Sequence, residues 1–157
     1  MYLVDQSQVI ITEENQMDIG LKNVKTHDDM SEETTCFSAS IYLDGKRVGT
    51  VSNHGHGGCN DYHWENRDAG SRIDSWADEQ EMEFKFEKLD QIIDQLRVDV
   101  LNKKQFRRWC KKETVFSLRG DEEGHFRTIR GVFTPEVKEH LVNKYGDKID
   151  RILNEEL

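Results

Sequence analysis

Apolar and polar positions alternate most clearly from Cys36 to Leu43. Phe37, Ala39, Ile41 and Leu43 fall on one face, and Ser38, Ser40 and Tyr42 on the other. A period of two is that of a half-buried strand. Asp44-Gly45 follows, and then a second extended run from Val48 to Asn53. An Asp-Gly pair between such runs predicts a two-residue hairpin, because a type I′ turn needs positive φ at both central positions. Gln8 to Thr12 and Met17 to Lys25 are also compatible with extended structure, and the acidic stretch Thr26 to Thr35 with a loop.

The period changes further along. Leu89, Ile92, Ile93, Leu96 and Val100 recur at helical spacing, and Phe106, Trp109 and Cys110 continue it. Between the two patterns, Trp64 to Ala77 fits neither period well, and Met82, Phe84 and Phe86 alternate as in a short strand. Thr114 to Leu118 and His125 to Arg130, joined by the turn Gly120 to Gly124, predict a second hairpin. Thr134-Pro135-Glu136 is a helix start, since threonine caps a free N–H and proline at the first helical position loses no hydrogen bond. Val137, Leu141, Val142 and Tyr145 form its stripe. Gly146 ends it, and Asp147 is placed to cap a last helix through Ile149, Ile152 and Leu153. The order predicts an α+β fold: an antiparallel sheet built from hairpins, a long central helix and C-terminal helices. Residues 1–157 read as a single domain.

Composition narrows the function classes. The net charge of −9 argues against broad, nonspecific nucleic-acid binding and permits basic protein partners. Three widely spaced cysteines suggest no disulfide framework. The N-terminus lacks the pattern of a signal peptide, and no apolar run is long enough to span a membrane, so a reducing cytoplasm is the expected compartment.

The densest candidate chemistry lies between Asn53 and His63. His54, His56, Cys59 and His63 stand as H-x-H-x2-C-x3-H, and imidazole and thiolate are the donors tetrahedral Zn²⁺ prefers. Asp61 is placed to substitute for one of these ligands or to orient a histidine. A second reading uses the backbone: Asn53, Gly55, Gly57 and Gly58 with the histidines offer donors for a phosphate or nucleotide. A third reading is a tight strand exit whose polar side chains bond their own backbone. Elsewhere, Lys103, Lys104, Arg107, Arg108, Lys111 and Lys112 form a basic run, with Lys104, Arg107, Arg108 and Lys111 as a candidate nucleic-acid or phosphate patch or simply a solvated helix face. The acidic runs at Asp28, Asp29, Glu32 and Glu33 and at Asp78, Glu79, Glu81 and Glu83 either imitate nucleic-acid phosphates or solubilise loops. No G-x-S-x-G or H-E-x-x-H is present.

The segment from Tyr42 through the Asp44-Gly45 turn to Asn53-His54-Gly55-His56-Gly57-Gly58, together with Lys144 to Ile149, resembles a signature of small uncharacterised proteins from bacteria and their phages. The resemblance implies an origin and no reaction. Two functions are therefore expected: a non-enzymatic accessory or regulatory protein that binds and modulates a host protein or nucleoprotein, such as a defence or gene-expression component, or a Zn²⁺- or nucleotide-binding domain centred on the His54–His63 loop.

Overall fold

The computed structural model describes residues 17–82 and 84–157. The segment Gln8 to Thr12 lies outside them. The fold is α+β, with antiparallel sheets of four and three strands and three helices. It divides into two compact units, which meet in sequence between Val100 and Leu101.

In the unit of residues 17–100, β1 (Ile19–Thr26), β2 (Phe37–Leu43), β3 (Lys46–Asn53) and β4 (Asp61–Trp64) form an antiparallel sheet in chain order. The Asp-Gly hairpin is present, with φ of 49° at Asp44 and 77° at Gly45, and Leu43 opposite Lys46. A bulge at Val48 interrupts the β2–β3 register between Ile41 and Tyr42. The alternation read in β2 becomes its buried face: Phe37, Ala39, Ile41 and Leu43 are all buried.

The sequence from Trp64 to Ala77 resolves into the end of β4 and α1 (Arg67–Glu79). Asn66 caps α1 by accepting the Ala69 amide proton. Its buried residues Ala69, Gly70, Ile73, Trp76 and Ala77 keep helical spacing. Gly70 is there because Trp64 lies against it: a Cβ would stand 2.6 Å from indole atoms. The first part of α2 (Lys88–Cys110) adds Ile92 and Ile93 to the same core, with Leu89, Leu96 and Val100 packed around them. Burying such aliphatic side chains contributes about 1.5–3 kcal/mol each. The strand expected across Met82, Phe84 and Phe86 does not form. Residues 84–86 are bends, and both phenylalanines are exposed.

In the unit of residues 101–157, β5 (Glu113–Leu118) lies between β6 (Arg127–Arg130) and β7 (Ile149–Ile152). Its lack of alternation has a physical cause, because both faces are covered. Val115 packs with Phe126 and Leu153 against Phe106, Trp109 and Cys110 from the end of α2. Phe116 packs with Ile152 and with Leu141 of α3 (Pro135–Tyr145). The helix expected after Gly146 is replaced by a single turn and β7. Ile152 stands opposite Phe116 on β5, so pairing a central strand outweighs the capping signal of Asp147.

Candidate functional site

The loop after β3 is organised by Asn53. Its buried side chain accepts from the Gly55 amide at 2.9 Å and the Thr34 hydroxyl at 2.7 Å, and its amide donates to Asn60 Oδ1 and the Gly58 carbonyl. The Gly55 carbonyl accepts from the amides of Glu32 and Glu33. Gly55, Gly57 and Gly58 all have positive φ. At Gly55 a side chain has no room, since a Cβ would meet the Met30 carbonyl oxygen.

These bonds separate the sequence-derived ligands. His54 approaches Asp61 at 3.7 Å, and His56 Nδ1 stands 3.0 Å from Glu32. His63 lies on the exposed face of β4, opposite Thr50 on β3. Cys59 turns the other way, and its thiol donates to Glu87 at 2.9 Å. Among the described residues, the potential ligand atoms that gather within 4.8 Å are those of Cys59, Glu87 and Asp90, without a histidine. The amides that would cradle an anion are partly spent: Gly55 N–H donates to Asn53 and Gly57 N–H to the Thr34 hydroxyl. The hydrogen bonds thus describe the loop as a tight, internally bonded strand exit.

Beside this loop lies a cleft of about 730 Å³. One side carries Glu32, Glu33, Thr34 and Asn53, and the other carries Glu87, Asp90, Asp94 and Arg97 of α2 and the turn before it. Asp90 is held by the Asn60 amide and the Tyr62 phenol. Among the described residues, Arg97 is the one cation lining it. It is mostly buried, lies over the Phe37 ring at 5.1 Å, and approaches Asp94 at 3.6 Å. Phe84 and Phe86 form the rim, 65% and 83% exposed, with both carbonyls held by the Gln91 side chain.

The electrostatics follow. Burial pushes the Asp94 carboxyl up, against the opposing pull of Arg97. The hydrogen bond and negative charge of Glu87 push the Cys59 thiol up, which keeps its proton on. Burial and Asp90 push the Tyr62 phenol up. Glu87 holds its place with φ of 53°, unusual for a residue with a side chain.

The sequence reading missed Phe84, Phe86, Asp90, Asp94 and Arg97. The signal was there for Asp90, Asp94 and Arg97, spaced to share the polar side of a helix whose apolar side was plain. The basic run is where it was expected, except that α2 ends at Cys110 and leaves Lys111 and Lys112 in the following turn. No family model, curated protein or solved structure matches the chain. No helix among the described residues is long and apolar enough to cross a membrane.

Proposed function

We propose that this is a non-enzymatic accessory or regulatory protein that seats a basic segment of a partner protein in the cleft beside the His54–Asn60 loop. The bacterial and phage resemblance makes a host protein the natural partner. The observation that carries the reading is the composition of the cleft, which among the described residues has five carboxylates, one mostly buried cation and two phenylalanines left in solvent at the rim. Carboxylates attract lysine and arginine heads, while aromatic faces cover their methylene stems and attract the cation. Exposed rings beside a polar floor are the usual anchors of an interface. The raised Cys59 thiol supports binding over nucleophilic catalysis, which needs a lowered one.

The test is calorimetric titration with a lysine- and arginine-rich peptide and with an acidic peptide of equal length. The basic peptide should bind more tightly, and Phe86→Ala should weaken it about tenfold, the scale of an interface anchor. Equal binding of both peptides, or no effect of Phe86→Ala, overturns the reading.

A second reading rests on the Cys59, Glu87 and Asp90 atoms. One thiolate and two carboxylates are acceptable donors for Zn²⁺, with water completing the shell. Replacing the thiol proton by a metal would remove the contact that keeps it protonated. Titration with Co²⁺ should then give a thiolate charge-transfer band that Cys59→Ser abolishes. Absence of the band sinks the metal reading and leaves peptide binding untouched.

A further inference from the structure

The net charge of the whole chain conceals a segregation. Residues 17–100 contain nine basic and 18 acidic side chains, whereas residues 101–157 contain thirteen basic and ten acidic. Electrostatic attraction at a surface is local, screened over about 8 Å at physiological salt. The cationic concentration is highest at the end of α2 and in the turn after it, at Lys103, Lys104, Arg107, Arg108, Lys111 and Lys112.

We propose that this face is a docking surface for the phosphate backbone of a nucleic acid, read without regard to base sequence. Three observations carry it. All six side chains are exposed, and none enters an ion pair among the described residues, whereas Arg127, Lys138 and Arg151 of the same unit each hold a carboxylate. The cations are also presented by a fixed element. Phe106 and Trp109 from the same turns are packed inward, with Phe106 meeting Phe126 edge-on at 5.0 Å. These rings are committed to the core, so they cannot stack on bases, and phosphates remain as the target. Finally, Lys103 with Arg107 and Lys104 with Arg108 make adjacent rows one helical turn apart, a step of about 6 Å that is comparable with the spacing of successive phosphates.

The chemistry favours a polyphosphate over an acidic protein. No large exposed apolar residue lies between 101 and 112, and a protein interface needs such anchors. Counterion release from a nucleic acid needs only the charges. Arginine adds paired N–H donors suited to phosphate oxygens. The inference does not rest on the cleft. Together with it, it fits a nucleoprotein target, whose protein and nucleic-acid parts differ in charge.

The experiment is fluorescence anisotropy of a labelled mixed-sequence DNA duplex over a salt series, with the full chain. Binding in the range of about 10⁻⁴–10⁻⁶ M and a steep loss with salt are expected for phosphate contacts. The double variant Lys104→Gln/Arg108→Gln should weaken binding roughly tenfold and flatten the logarithmic salt slope by about two. Lys22→Gln/Lys25→Gln, on the sheet of residues 17–100, should change neither. Circular dichroism should show unchanged helix in every variant, and Lys103→Gln/Arg107→Gln serves as a second test on the parallel row. No salt-sensitive binding at low salt overturns the proposal. So does equal binding by the α2 variants, or tighter binding to phosphatidylserine vesicles than to the duplex.

Discussion

The phenol of Tyr62 on β4 donates to Asp90 Oδ1 in the first turn of α2, 28 residues away in sequence. The other Asp90 oxygen accepts the Asn60 amide. One carboxylate thus joins Asn60 at the end of the His54–Asn60 loop, the edge strand and the helix that lines the cleft. Tyr62→Phe keeps the ring, which stacks on Trp64 at 5.7 Å, and removes only the hydroxyl. A hydrogen bond to a charged group contributes about 1.5–3 kcal/mol. The variant should lose that much stability in urea unfolding at neutral pH, and a loss below about 0.5 kcal/mol, the scale of a neutral surface change, contradicts the geometry.

The two glycines that frame the loop should respond unequally to alanine. Gly55 and Gly58 share nearly the same φ, 85° and 89°. Around Gly58 nothing lies within 4 Å of an added Cβ, while at Gly55 it would stand 2.3 Å from the Met30 carbonyl oxygen and 2.9 Å from Cys36 Cβ. Gly58→Ala therefore carries only the backbone penalty of about 1–2 kcal/mol. Gly55→Ala adds an overpacking cost of roughly 1–3 kcal/mol. Equal unfolding midpoints for the two variants are the result that defeats this argument.

The elements legible in the sequence are those whose signal is local. Asp44-Gly45 requires positive φ, Thr134-Pro135 can only begin a helix, and Phe37 to Leu43 alternate because one face of β2 is buried. What escaped depends on tertiary partners. The helix α1 carries its core stripe on Ala69, Gly70, Ile73, Trp76 and Ala77, where three small residues and intervening charges blur the period. Ile149 to Ile152 reads as helix until β5 offers a free edge.

The site shows the same division. The sequence marked Asn53, Gly55, Gly57 and Gly58 as special, and the structure gives Asn53, Gly55 and Gly57 a part in folding the loop. His54, His56 and His63 are close in sequence yet have different neighbours, Asp61, Glu32 and, across the sheet, Thr50, in a loop bent by three positive-φ glycines. The cleft is made by joining Glu32 and Glu33 to Asp90 and Asp94, which no local pattern announces.

The acid limb of stability should depend on Asp121. Its carboxylate accepts from Arg127 Nε at 2.9 Å and Nη2 at 2.6 Å, and from the Leu118 amide. These bonds lower its pKa from 3.8 to about 2. A carboxylate depressed in the folded state stabilises at pH values above its unfolded pKa, and that contribution is lost as pH falls through the folded one. Melting temperatures of the wild type should therefore fall more steeply between about pH 4 and pH 2 than those of Asp121→Asn. Parallel curves would show that the Arg127 pair makes no difference to folding.

Stability and binding should separate at the start of α2. Ile92 is buried to 2% exposure in the core, whereas Phe86, six residues earlier, is 83% exposed at the rim of the cleft. Truncating a buried aliphatic side chain leaves a cavity and costs about 2–5 kcal/mol. Truncating a solvent-exposed one usually changes stability by less than about 0.5 kcal/mol. Ile92→Ala should accordingly lower the urea midpoint strongly, and Phe86→Ala should leave it in place. The fold gains little from a phenyl ring held in water, and the proposed basic partner would cover it. If Phe86→Ala destabilises the protein as much as Ile92→Ala does, the ring belongs to the core and the cleft loses its anchor.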